Sequence, residues 1–253
     1  MIDTHCHLYS EEFDTDLEEV LKRAVDEGVK KFFLPAIDST HTPSMNKAED
    51  KYQGICIAMA GLHPCSVKAD YLDEIAHVKY LLSQRKFAGI GETGLDFYWD
   101  KTFIKEQHHA LEIQISLALE YNLPLILHTR NATQETIDVV KKYKGSGLTG
   151  IFHCFGGSLA EALQIIDAGF FLGIGGVLTY KNSGLAEVLK DVDMDHMVLE
   201  TDAPYLAPVP FRGKRNESSY LKYIAHKLAA VKNISTEDVE KITDSNAKKI
   251  FRL

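Results

Sequence analysis

Short apolar runs rich in β-branched and aromatic residues recur eight times along the 253-residue chain, each followed by a helix-like pattern. The strand-like runs are 2–6, 31–37, 55–60, 87–91, 124–128, 149–153, 170–174 and 196–200. The helical patterns fall near 15–27, 40–52, 70–84, 105–121, 133–143, 158–168, 183–190 and 217–231. In 105–121, for example, Ile104, Leu111, Ile115, Ala118 and Leu119 make an apolar stripe near the 3.6-residue period. Strand and helix alternating every thirty residues or so specify βαβ units with parallel strands. Such units either close into a barrel or spread into an open, doubly wound sheet. No Gly-x-Gly-x-x-Gly follows the first run, which removes the usual signature of the open sheet. The expected fold is therefore α/β: a (β/α)8 TIM barrel in one domain spanning 1–253, with an additional C-terminal helix over 235–250. That last helix opens on Ser235-Thr236-Glu237-Asp238, an N-cap with an acidic first turn.

The composition, 45% hydrophobic and 25% charged, is that of an ordinary globular protein. No apolar run approaches the roughly 20 residues that span a bilayer, and no basic-then-apolar leader opens the chain. Cys6, Cys56, Cys65 and Cys154 are far apart with no Cys-x-x-Cys, so reduced thiols and a cytoplasmic location are expected. No obligate protein partner is evident. The formal charge of −8 argues against a broad basic surface that grips nucleic acid non-specifically. It leaves room for local basic loops, or for a metal that brings its own positive charge.

Residues that bind metals collect at one recurrent place, the C-terminal end of a strand. The first run ends in His5 and His7, which share a face on an extended strand. The fourth leads to Glu92 and Asp96, the fifth ends at His128, the sixth at His153, and the eighth delivers Glu200 and Asp202. A histidine closing a strand is ordinarily a core or loop residue. Here the coincidence repeats on separate strands at the same end, which is the rim where barrel active sites are built. Four histidines and two carboxylates suit two divalent ions sharing a bridging carboxylate, of identity Mg2+, Mn2+ or Zn2+. His5, His7 and Asp202 are assigned to one ion, His128 and His153 to the other, and Glu92 to the bridge.

Taken in order, Ile2-Asp-Thr-His-Cys-His7, Gly61-Leu-His-Pro64, Gly89-Ile-Gly-Glu-Thr-Gly-Leu-Asp96, His128-Thr-Arg-Asn-Ala132, His153-Cys-Phe-Gly-Gly157, Glu200-Thr-Asp-Ala-Pro-Tyr-Leu206 and Arg212-Gly-Lys-Arg-Asn-Glu217 cover nearly the whole chain. This set resembles the TatD-type deoxyribonucleases, metal-dependent hydrolases of the amidohydrolase-like TIM-barrel superfamily. The resemblance implies the same six ligands, His5, His7, Glu92, His128, His153 and Asp202, and places His63 and Asp96 in the substrate site. It also implies exonucleolytic action on DNA in the 3′–5′ direction. Two positions depart from the family pattern: Asn131, where many relatives carry Asp, and Ser218, where Pro is usual.

The expected reaction is phosphodiester hydrolysis by a two-metal hydroxide mechanism. Glu92 and Asp202 are the catalytic carboxylates, with Asp202 accepting the water's proton and passing it to the leaving oxygen. Arg130 and the Lys214-Arg215 pair are assigned to substrate phosphate, and Glu200 to substrate or to orienting a ligand. The acidic chain suits a DNA strand end or short single strand better than a wrapped duplex, and Phe97, Tyr98, Trp99 and Tyr205 are available to stack on bases. The same centre would also serve amide, ester or lactone hydrolysis of a small molecule. A non-catalytic barrel with a structural metal is the third reading, disfavoured because structural sites are closed and rich in Cys.

Overall fold

The computed structural model describes residues 1–253. Eight strands, β1 Ile2–Asp3, β2 Lys31–Leu34, β3 Cys56–Ala58, β4 Ile90–Asp96, β5 Leu125–Arg130, β6 Gly150–Phe152, β7 Phe170–Ile174 and β8 Met197–Leu199, alternate with helices. The helices are α1 Leu17–Asp26, α2 Thr42–Lys51, α3 Tyr71–Gln84, α4 Ile104–Tyr121, α5 Thr133–Lys141, α6 Leu159–Asp167, α7 Leu185–Lys190, α8 Leu221–Lys232 and the additional α9 Thr236–Phe251. Ser235 caps α9 as its sequence suggests, its hydroxyl accepting the Asp238 N–H at 3.0 Å.

All strand pairs are parallel, in two ladders ordered β1-β2-β3 and β4-β5-β6-β7-β8. Less regular backbone bonds close them into a (β/α)8 barrel. At one seam Ala60 N–H donates to Gly89 O (3.1 Å) and Gly91 N–H to Ala60 O (2.8 Å). At the other, Thr4 N–H reaches Leu199 O (3.1 Å), Asp202 N–H reaches His5 O (2.9 Å) and His7 N–H reaches Ala203 O (2.7 Å).

The regular strands are mostly shorter than the apolar runs, and β4 shifts furthest forward, from an expected 87–91 to Ile90–Asp96, while β5 runs from Leu125 to Arg130 against an expected 124–128. The cause is glycine. Pairing of β4 with β5 is irregular between Ile90 and Thr93 and then resumes at Thr93↔Leu127 and Gly94↔His128. A side chain at Gly91 would put its Cβ 2.6 Å from Ile126 Cβ, and one at Gly94 would fall on the His128 carbonyl oxygen. Backbones therefore approach closely enough to carry Glu92 and Asp96 inside the sheet.

Inside the barrel, Ile2, Phe33, Met59, Ile126, Ile151, Phe171 and Val198 form an apolar stack. α9 closes its lower end with Ala247, Ile250 and Phe251, the Phe251 ring lying 3.7 Å from Phe33 at 16°. Asn246 fixes this plug by donating to Met194 O and Met197 O, both at 2.8 Å. A second, larger core lies between the strands and the surrounding helices. The four cysteines are free, and no helix is long and apolar enough to cross a membrane.

Candidate metal centre

At the upper end of the barrel six strand-end residues converge on Glu92, which is 2% exposed at the centre of the group. Its Oε2 lies 3.1 Å from His5 Nε2 and 3.5 Å from His7 Nε2. Its Oε1 lies 2.9 Å from His128 Nδ1, 2.8 Å from His153 Nε2 and 3.4 Å from His63 Nε2. Asp202 Oδ1 stands 3.6 Å from both His5 and His7. Each oxygen of one carboxylate thus faces a different set of imidazoles.

Three groups of donor atoms lie within 4.8 Å: His5, His7 and Glu92; His5, His153 and Asp202; and His63, Glu92 and His128. The grouping differs from the expected division, because His5 is shared and His63 stands among the donors. His63 Nδ1 accepts the Cys65 N–H at 3.0 Å, so its Nε2 carries hydrogen and donates towards Glu92. His7 is oriented the other way. Tyr9, which the sequence pattern did not single out, donates its hydroxyl to the Pro35 carbonyl, so its oxygen accepts from His7 Nδ1 at 3.0 Å. That turns His7 Nε2 towards the centre, where the neutral ring would ligate a cation.

Electrostatics favour a cation here. Burial alone would raise the Glu92 carboxyl, but His153, His5, His63 and the hydrogen bond from His128 hold it well below the carboxylate range. Burial would likewise raise Asp202, yet His7 and the neighbouring imidazoles lower it. Desolvation pulls His7 down, but Asp202 and Glu92 outweigh this and hold it up at about 9. His5, stacked 3.9 Å from the His153 ring, is lowered by burial and by that neighbour. Buried anions thus recruit protons onto some rings but not others, and a divalent ion would supply the same positive charge in their place. Imidazole and carboxylate donors without a thiolate fit borderline to hard divalent ions. His5 Nδ1, His153 Nδ1 and Glu200 Oε2 are buried without hydrogen-bond partners.

Of the residues assigned to substrate, Arg130 and His63 line the cavity of about 810 Å3 above the donors. Asp96 lines it as well, but its carboxylate is engaged. Oδ2 meets His128 Nε2 at 2.9 Å, and Oδ1 accepts the Tyr98 and Trp99 N–H groups at 2.9 and 3.0 Å. Two expectations need correcting. Glu200 is fully buried behind His153, where Oε1 accepts the Cys154 N–H at 2.5 Å and lies 3.5 Å from His153 Nδ1. It fits there because Gly173 has no side chain: a Cβ would fall on Glu200 Oε2. Glu200 is therefore absent from the cavity lining. Arg215 lies off the cavity, paired with both Asp16 oxygens at 2.8 and 2.6 Å above the Phe13 ring. The cavity wall holds Arg212 and Lys214 from the same loop.

Two buried glutamines on the apolar stripe of α4 were also not anticipated. Gln107 bonds both the N–H and the C=O of Asp96 (2.9 and 3.2 Å). Gln114 does the same for Leu62 (2.8 and 3.1 Å) and also donates to Thr93 Oγ1 at 2.6 Å. Their side-chain amides satisfy backbone groups on both sides of Glu92 that the irregular seam leaves open. The signal was in the spacing, since 107, 111, 114 and 118 share one helix face.

Known proteins resemble this chain over its whole length. The family model described as TatD related DNase matches residues 2–252. An uncharacterized metal-dependent hydrolase of Bacillus subtilis, YabD, is 41% identical, with 100% of this chain and 99% of that protein covered. A protein named 3′-5′ ssDNA/RNA exonuclease TatD from Pantoea ananatis is 30% identical over the full length of both chains. The crystal structure of YjjV, a TatD homolog from Escherichia coli, superposes with a TM-score of 0.93 at 28% identity, covering 100% of this chain and 98% of that one. With its centre of imidazoles and carboxylates on a barrel rim, the chain belongs to the TatD related DNase family of metal-dependent hydrolases.

Proposed function

We propose that this protein is a two-metal nuclease that removes nucleotides from the 3′ end of single-stranded DNA. The observation that carries the reading is the division of labour at Glu92, whose two oxygens face separate imidazole sets as a bridging carboxylate requires. His5, His7 and Asp202 would hold one ion, His128 and His153 the other, with Glu92 shared. Divalent ions there would neutralise the phosphoryl oxygens and make water acidic enough to ionise near neutral pH. The name of the Pantoea relative supports a single-stranded nucleic acid substrate.

The chain's own groups account for the rest of the reaction. Asp202, held at the cavity edge by its N–H to His5 O, accepts the proton of the attacking water. The water oxygen bonds to phosphorus, the bond to the 3′-oxygen breaks, and Asp202 returns the proton to that oxygen. A 5′-mononucleotide leaves a strand one residue shorter. His63, with hydrogen on Nε2, donates at the centre, while Asp96 holds the ring of His128 in place and Glu200 stands 3.5 Å behind His153. Arg130 offers its guanidinium to phosphate from the end of β5.

The test is hydrolysis of a 5′-labelled single-stranded oligodeoxynucleotide with Mg2+, Mn2+ or Zn2+, beside a panel of esters and amides. Chelator is expected to abolish cleavage while circular dichroism shows the fold retained. The barrel core is complete without the ions, unlike a structural zinc domain. Hydrolysis of esters or amides with intact oligonucleotide would sink the proposal.

The Tyr9 contact gives a separate expectation. In Tyr9→Phe the acceptor for His7 Nδ1–H disappears while the ring still fills its buried place. Metal affinity, read by titration calorimetry on metal-free protein, should drop by about 10–100-fold, the usual range for a partner behind a ligand. An affinity within twofold of wild type would mean that the backbone alone orients His7.

A further inference from the structure

The chain has six arginines, and four of them have acceptors. Arg23 pairs with Glu217, Arg85 with Glu49, Arg215 with Asp16, and Arg252 bonds the backbone and side chain of Asn122. The other two, Arg130 and Arg212, make no hydrogen bond or ion pair, and both line the cavity. Each rests instead on aromatic rings. The Arg130 guanidinium lies 4.1 Å from the centre of Tyr98 and 5.2 Å from that of Trp99, and the Arg212 guanidinium lies 4.3 Å from that of Tyr180. A ring face restrains the guanidinium and supports its charge without using its N–H donors, all of which stay free for a ligand.

The Arg212 cradle is braced. Tyr180 donates its hydroxyl to Ala207 O at 3.0 Å, and Thr179 Oγ1 accepts the Val209 N–H at 2.9 Å. Gly176 lies so close under the loop after β8 that a Cβ there would fall on the Leu206 carbonyl oxygen. The turn after β7 therefore holds the loop that carries Arg212 and Lys214. Arg130 stands on a different flank, at the end of β5, with the Glu92 centre on the floor between.

We propose that Arg212, on its Tyr180 cradle and assisted by Lys214, forms a second anion subsite. It would take a phosphodiester of the strand neighbouring the one at the metal centre. This inference rests on the nuclease reading above and deepens it. A ligand with anions at regular intervals meets a guanidinium on each side of the reacting phosphate, whereas a small neutral ester or amide would leave both unused. In a chain of net charge −8, two unpaired guanidiniums at this one mouth steer a strand into the cavity and away from the rest of the surface.

The test is fluorescence anisotropy of labelled, phosphorothioate-linked oligothymidylates of two, four and six nucleotides. They are bound to metal-loaded wild type, Arg212→Ala, Arg212→Lys and the remote control Lys22→Ala across a NaCl series. Wild-type affinity should rise with length. Arg212→Ala should lose about tenfold on the hexamer and little on the dimer, which has a single linkage. Its salt slope should fall by about 0.7, the value for one contact to a single-stranded phosphate. Arg212→Lys should keep the slope while losing part of the affinity, because the ammonium lacks the planar fork. Wild-type affinity and slope in Arg212→Ala would overturn the subsite, and so would an equal loss at every length. If wild type binds with this length dependence but cleaves no oligonucleotide, the nuclease reading fails and the strand subsite stands.

Discussion

Glu92→Gln is expected to fold like wild type and to lose hydrolysis by at least 10²–10³-fold, the scale of removing one preorganised group from a reacting centre. The amide has the size of the carboxylate but not its symmetry. Glu92 offers an acceptor to His5 and His7 on one side and another to His128, His153 and the His63 donor on the other. In glutamine one of these oxygens becomes an NH2 group, which cannot bind a cation and points hydrogens at imidazole lone pairs. Metal stoichiometry by titration should fall below that of wild type. Thermal stability without metal should fall near neutral pH, because the surrounding imidazoles hold Glu92 ionised and the neutral amide leaves their charge unbalanced. Activity within tenfold of wild type would contradict the bridging role.

Gly94→Ala should cost about 3 kcal/mol, in the upper range for overpacking combined with a backbone that side chains rarely adopt. Gly94 has φ +136°, and an added Cβ would overlap the carbonyl oxygen of His128, its partner across the β4–β5 ladder. Neither backbone can yield without moving Glu92, Asp96 and His128 together. At about 2–4 °C per kcal/mol for a chain of this size, the thermal midpoint should drop by roughly 6–12 °C. Gly145→Ala is the control. Its φ is +83° but nothing lies within 4 Å, so only the backbone penalty applies. Equal shifts in the two variants would remove the argument from close packing.

The eight-strand alternation, Glu92 and the His5, His7, His128, His153 and Asp202 around it are legible from sequence because they follow from periodicity and from which end of a strand a residue occupies, whereas His63 comes only from the resemblance. The misreadings arise where the backbone leaves the regular pattern. The two-residue alternation of a strand predicts that Glu200 and Asp202 share a face, but β8 stops at Leu199 and Asp202 has φ +57°. That turn sends Asp202 into the cavity and leaves Glu200 behind His153. In Arg212-Gly-Lys-Arg, composition cannot say which cation faces the cavity. The choice is made by Gly213, at φ +83°, and by Asp16, a carboxylate 199 residues away in sequence. Gln107 and Gln114 were overlooked because amides on an apolar stripe look like interruptions, and only the barrel seam reveals the backbone groups they serve.

The plug formed by α9 also determines the electrical surroundings of the metal centre. With Phe251 stacked on Phe33 and Ile250 beside it, the space beneath the donors is filled by hydrocarbon from rim to base. Solvent reaches the carboxylates only from above. A charge on that floor is screened on one side by water and insulated on the other by a column of low polarisability. Field lines from cations held there would be directed upward into the cavity instead of dissipating through the protein.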